Sequence, residues 1–122
     1  MYQLVVKDKF AAAHQLRHYE GKCENLHGHN FQVHLMVEAE RVNSTGMAID
    51  FKILKAVLHE ILNELDHHFL NEHSAFIKEN PSSENLARYI FHKAQEKINN
   101  EEVKVGWVRV YESDEAYAQF FE

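Results

Sequence analysis

Between residues 29 and 40 apolar and polar side chains alternate with period two, the mark of a strand with one buried face. Phe31, Val33, Leu35, Val37 and Ala39 fall on one face, and Asn30, Gln32, His34 and Glu38 on the other. An earlier strand is predicted over residues 2–7, with residues 10–14 continuing it after a break at Asp8 and Lys9. Residues 15–26 are polar and irregular, and read as a loop. Asn43-Ser44-Thr45-Gly46 is a turn, followed by a short predicted strand over residues 47–49. Asp50 is placed to cap a helix running to Leu65, in which Leu54, Val57, Leu58, Ile61 and Leu65 form an apolar stripe. Asn80-Pro81-Ser82-Ser83 starts a second helix that ends near Asn99 and buries Leu86, Ile90, Ala94 and Ile98. A strand follows over residues 103–112, with Val108 and Val110 on one face and Val105, Trp107 and Tyr111 on the other. A last strand over residues 115–121 pairs with it as a hairpin. Strands, two helices, then strands describe an α+β fold with both helices on one face of an antiparallel sheet.

The 122 residues suit one domain, spanning 1–122, with no repeat, linker or low-complexity segment. With 45% hydrophobic residues the chain can build a core. A domain this small has little room to enclose a deep pocket, so assembly into an oligomer is expected. The net charge of -6 and the absence of a basic run argue against a nucleic-acid partner. A single cysteine excludes an intrachain disulfide framework. The N-terminal stretch lacks a signal-peptide pattern, and no segment approaches the roughly 20 apolar residues of a membrane span. The expectation is a cytoplasmic protein with no membrane partner.

Ten histidines in this length direct attention to metal chemistry. His27-Gly28-His29 is the strongest local signal. On a strand, residues two apart share a face about 6.6–6.8 Å apart, so both rings can reach one ion. The pair shares the face of Phe31 and Val33, where a bare imidazole would bury nitrogens without partners. His14 ends the first strand region and is the expected third ligand. Three histidines with an open fourth position form a catalytic Zn2+ pattern, although other divalent ions accept the same nitrogens.

Cys23 lies four residues before His27. The residues alone leave it three roles: a reactive thiolate, a fourth ligand that closes a structural site, or an inert small side chain. Asp66 and His67 can act as orienter and base near a cysteine, or can be a solvated helix end. Adjacent side chains do not readily bond each other in regular structure, so their partners are expected elsewhere. Glu112 either sits at the rim or accepts paired N–H bonds from a guanidine-like edge.

Six segments together resemble the 6-pyruvoyl-tetrahydropterin synthase and 6-carboxy-tetrahydropterin synthase family. They are Phe10-Ala11-Ala12-Ala13-His14, Cys23 with His27-Gly28-His29-Asn30-Phe31, Ile49-Asp50-Phe51, Leu65-Asp66-His67-His68-Phe69-Leu70-Asn71, Asn80-Pro81-Ser82-Ser83-Glu84-Asn85-Leu86, and Val110-Tyr111-Glu112. They span nearly the whole chain in the family's order. The resemblance implies the T-fold, or tunnelling fold, and rings of subunits stacked as a hexamer, a dimer of trimers with active sites between subunits. It implies zinc on His14, His27 and His29, a catalytic Cys23 with Asp66 and His67 as its relay, and a pterin ring anchored by Glu112.

The spacing within the resemblance separates branches. In pyruvoyl-type synthases the cysteine lies further before the His-Gly-His, and in folate-pathway variants a glutamate replaces it. Three residues between Cys23 and His27 resemble the 6-carboxy branch, which feeds queuosine biosynthesis. The implied reaction converts 7,8-dihydroneopterin triphosphate to 6-carboxy-5,6,7,8-tetrahydropterin, acetaldehyde and triphosphate. Alternatives are pyruvoyl-type activity, action on sepiapterin or dihydroneopterin, and a non-enzymatic protein with a structural zinc site. Where the family has Pro-Thr-Ser-Glu, this chain has Pro81-Ser82-Ser83-Glu84, so Ser82 and Ser83 are carried over as pterin contacts that lack one methyl. Arg17, His18 and Lys22 are the cations nearest the site in sequence for a triphosphate.

Overall fold

The computed structural model describes residues 1–21 and 24–122. Strand β1 (Tyr2–His14) pairs antiparallel with β2 (His27–Ala39). Helices α1 (Phe51–Asn63) and α2 (Ser83–Ile98) follow, joined by short 3-10 turns at Leu70–Glu72 and Ser74–Phe76. Strands β3 (Val103–Ser113) and β4 (Ala116–Phe120) complete a sheet of order β1-β2-β3-β4. All neighbours are antiparallel, and both helices share one face of the sheet.

The alternation read along β2 sets the core. Phe31, Val33, Leu35 and Val37 are fully buried beneath Leu54, Leu58, Ile61 and Leu62 of α1 and Leu86, Ile90, Phe91 and Ala94 of α2. Fully burying an aliphatic or aromatic side chain of this kind contributes about 1.5–3 kcal/mol, so this layer outweighs any single surface contact. Asp50 caps α1 by accepting the Lys52 N–H at 2.8 Å, and Ser82 caps α2 by accepting that of Asn85 at 3.2 Å.

Three local expectations are corrected. The predicted break at Asp8 and Lys9 does not occur: β1 pairs without interruption from Tyr2↔Ala39 to His14↔His27. Asp8 occupies an inward position at the rim, where His59 of α1 meets its carboxylate at 3.2 Å. Residues 47–49 form no strand; the Asn43 side chain accepts the N–H groups of Thr45 and Met47, folding the segment into a turn around Gly46, which has φ +81°. Val105 points into the core with Val103, Val108 and Val110 rather than to the opposite face. The cause is a β-bulge: Met36 pairs with Trp107 and Val37 with Val105, leaving Gly106 over. A Cβ on Gly106 would meet Met36 Cε at 2.5 Å, so a larger residue there requires the flexible end of Met36 to move.

His34, on the sheet face away from the helices, is only 8% exposed, with the Tyr111 ring 4.6 Å away. Burial first, then the charges of Lys7 and Arg109, hold its pKa below the ordinary 6.5. The unfolded chain therefore binds a proton that the fold resists, so this contribution is complete above pH 6.5 and is lost as pH falls below it. In chelator-treated protein, His34→Phe is expected to flatten the loss of stability between about pH 7 and 5. Equal pH slopes in urea unfolding of both proteins would show that folded His34 accepts its proton freely.

Candidate metal centre

The unbroken β1–β2 ladder sets His14 directly opposite His27, and the strand alternation puts His29 on the same face. Ring centroids lie 4.6 Å apart for His14 and His27, 5.1 Å for His14 and His29, and 4.7 Å for His27 and His29. One ring nitrogen from each lies within 4.8 Å of the others. His14 is 1% exposed. Its Nδ1 donates to the Pro81 carbonyl at 2.7 Å, and His27 Nδ1 donates to the Asn25 carbonyl at 2.8 Å. A carbonyl only accepts, so both protons sit on Nδ1 and both Nε2 atoms are bare.

Those two Nε2 atoms face each other at 3.0 Å. His29 Nε2 is buried and has no hydrogen-bond partner among the described residues. Two lone pairs facing at this distance repel unless a cation lies between them, and the His29 ring nitrogen beside them has room in the same cluster to join it. The donor set, the outer hydrogen bonds that fix the tautomers and the orphaned nitrogen all fit a divalent ion that takes imidazole. Burial lowers the pKa of His29, against a raising pull from Glu112, and so favours its neutral, ligating form.

Carboxylates frame the cluster. Glu112, ending β3's inward row, places its oxygens 3.9 Å from His14 Nε2 and 4.0 Å from His29 Nε2. Glu24 lies 3.6 Å from His27 Nε2 and also accepts the Leu16 N–H. Sequence reasoning missed Glu24; its position three residues before His27 was the available signal. Glu112, Ser82 and Ser83 line one open groove with Leu16, Tyr117 and Ala118. The Ser82 oxygen already caps α2, which leaves its own proton free to donate.

Asp66 and His67 correct an expectation. Their side chains do bond each other, His67 Nδ1 to Asp66 Oδ2 at 2.9 Å. His67 has φ +58°, which turns the chain out of regular structure and lets neighbours meet. The second Asp66 oxygen accepts the Ala11 N–H at 2.9 Å. That backbone bond, then His67, lowers the carboxyl pKa. The residues from Asp66 to Phe69 run along the outer edge of β1, held by Ala13 N–H to the His68 carbonyl. His67 there lines an open groove with Ala11, Ala13, Gly28 and Asn30, which face away from the helices, and with His29 of the cluster. No hydrogen bond or ion pair among the described residues joins Asp66 or His67 to the three histidines. Cys23 and Lys22 lie outside the described residues. The Arg17 guanidinium donates to the carbonyls of Asn71, Phe76 and Glu79, which ties it to the chain. His18 is exposed.

An α+β layer carrying three converged imidazoles at one end of its sheet defines a candidate metalloprotein. A family model described as 6-pyruvoyl tetrahydropterin synthase matches residues 3–122, and the chain belongs to this family of pterin-processing enzymes. It is 43% identical over 101 residues to 6-carboxy-5,6,7,8-tetrahydropterin synthase of Synechocystis, covering 79% of this chain and 77% of that one. A 33% identical relative from Pyrococcus furiosus, covering 93% of this chain and 91% of that one, is a dihydroneopterin monophosphate aldolase. The structure of 6-pyruvoyl tetrahydropterin synthase from Caenorhabditis elegans superposes with a TM-score of 0.86 at 26% identity, over 99% of this chain and 95% of that one. The fold is the T-fold of these synthases. Among the described residues no helix is long and apolar enough to cross a membrane.

Proposed function

We propose that the whole chain, residues 1–122, works as one zinc-dependent 6-carboxy-5,6,7,8-tetrahydropterin synthase domain. The observation that carries this reading is the convergence of His14, His27 and His29, with the His29 Nε2 buried and unpartnered. The Cys23–His27 spacing and the 43% identical Synechocystis relative favour the 6-carboxy branch. The substrate is then 7,8-dihydroneopterin triphosphate, which with one water gives 6-carboxytetrahydropterin, acetaldehyde and triphosphate, in queuosine biosynthesis. A lone free cysteine suits the reducing cytoplasm.

His14, His27 and His29 would hold the ion. Zinc bound there supplies Lewis acidity to the vicinal hydroxyls of the substrate side chain. Cys23 takes or returns a proton at the adjoining carbon. Asp66, kept ionised, orients His67 through Nδ1 and leaves His67 Nε2 to carry a second proton. Glu112 accepts paired N–H bonds from the pterin's guanidine-like edge, with Ser82 and Ser83 in the same groove.

His67 is exposed, and among the described residues no hydrogen bond or ion pair ties it to the three histidines of its own chain. This supports a site completed by a second copy, in a hexamer built as a dimer of trimers. Mixing inactive His27→Ala and His67→Ala chains under reassembly should then restore part of the activity; no recovery would place both roles in one subunit.

The deciding experiment incubates the protein with dihydroneopterin triphosphate, with and without a chelator, and identifies products by mass spectrometry. Chelator-sensitive 6-carboxytetrahydropterin with acetaldehyde is expected. A pyruvoyl product, or aldol cleavage as in the Pyrococcus furiosus relative's name, would move the assignment to another branch.

A further inference from the structure

We infer that Asn80, clamped by Arg17, is a positioning residue of the metal centre, acting through the Pro81 carbonyl on His14; this rests on the zinc reading above. β1 ends at His14, yet its hydrogen-bond ladder continues on side chains. The Asn71 amide accepts the Gln15 N–H at 2.9 Å and donates to the Gln15 carbonyl at 2.7 Å. Two residues on, the Asn80 amide accepts the Arg17 N–H at 2.7 Å and donates to the Arg17 carbonyl at 2.9 Å. Each asparagine thus stands in for a peptide group of a missing neighbour strand.

The Arg17 guanidinium then gathers the loop carrying both asparagines, through the carbonyls of Asn71, Phe76 and Glu79 at 2.8–3.1 Å. The Asn80 carbonyl is held by Asn85 Nδ2 at 2.8 Å, from the first turn of α2. Asn80 is therefore fixed at both its side chain and its carbonyl, and the next residue is Pro81, with its fixed φ. The Pro81 carbonyl is the sole hydrogen-bond partner of His14 Nδ1 among the described residues, at 2.7 Å. A carbonyl held there does two things: it puts the proton on Nδ1, and it points Nε2 at His27 and His29. Outer hydrogen bonds of this kind are worth about 10–100-fold in metal affinity.

The test measures zinc dissociation constants by chelator competition for wild type, Asn80→Ala, Arg17→Lys and Asn100→Ala. Asn100 supplies the control, because its side chain also accepts backbone N–H groups, those of Glu102 and Val103, far from the histidines. Asn80→Ala is expected to bind zinc about 10–100-fold more weakly and to change the visible absorption of the cobalt-substituted protein. Asn100→Ala should lower the thermal midpoint and leave both readouts at wild-type values. Arg17→Lys, which keeps the Asn80 amide pair and loses the fork, should show a smaller loss of affinity in the same direction; it carries the test if Asn80→Ala does not fold. Zinc affinity within twofold of wild type in both Asn80→Ala and Arg17→Lys overturns the inference while leaving the zinc site standing. Wild type that fails to bind zinc overturns the site and the inference together.

Discussion

Replacing His14 by alanine is expected to remove zinc from the protein and abolish turnover. His14 is the most buried of the three histidines, at 1% exposure, and its ring lies 5.4 Å from that of Phe31 at the edge of the core. The variant keeps only His27 and His29, two ligands where a catalytic zinc site needs three. Elemental analysis should find far less than one zinc per chain. A second signature separates ligation from general damage. A ligand held only by the folded state raises the unfolding midpoint by mass action. Wild type should thus melt higher with zinc than with chelator, and in His14→Ala the two midpoints should coincide. Full zinc occupancy in the variant would move the site elsewhere. The metal-free variant should be less destabilised than a truncation of this burial implies. In metal-free wild type the His14 and His27 Nε2 atoms already oppose each other at 3.0 Å, and the substitution removes that conflict.

Which parts of this could be read from residues alone follows from the range of the forces involved. The β2 alternation is a local pattern repeated from residue 29 onward, so its buried face was legible to the last strand position, Ala39. His27 and His29 inherited their shared face from the same rule. His14 was legible because both strands extend far enough to bring their ends together; the ladder reached it more simply than the expected break at Asp8 and Lys9 allowed. The caps at Asp50 and Ser82 were legible because each closes within three residues. Val105 was misread because a bulge depends on which residue of a partner strand it faces, and nothing near Gly106 names Met36. His34 and Met36 sit on the face away from the helices, yet both are buried, at 8% and 2% exposure. Period two predicts a face, and cover from side chains of neighbouring strands is a separate matter. The Asp66–His67 bond needed a left-handed φ that no regular element supplies. The roles of Asn71, Asn80 and Arg17 needed partners more than fifty residues away. Arg17 therefore read only as a cation near the site, and its bracing of the chain was invisible.

Cys23→Ala is the substitution that decides what the metal centre is for. Its expected result is full zinc content with turnover reduced about 10²–10⁴-fold, the usual worth of a positioned general base. The zinc half follows from the histidines. Two of the three imidazoles are oriented through backbone carbonyls, Pro81 for His14 and Asn25 for His27, and neither bond involves the side chain at position 23. The turnover half follows from chemistry. With three neutral imidazoles on the ion, a proton must still leave the substrate side chain, and a thiolate near a cation is ionised at neutral pH. Glu24 and Glu112, 3.6–4.0 Å from the ligating nitrogens, supply negative charge to the cluster; if either served as the base, Cys23→Ala would turn over normally. A closed structural site with a fourth bond from sulfur makes the opposite prediction for the metal. Zinc affinity would then fall sharply in Cys23→Ala, and cobalt-substituted wild type would show the intense near-ultraviolet charge-transfer band of a thiolate ligand. Cys23→Ser sharpens the contrast, since a hydroxyl keeps the size of the side chain but ionises far too weakly to replace the thiolate as base. Retained zinc, no thiolate band and lost turnover in both variants would establish a three-histidine centre with an open position worked by a separate cysteine.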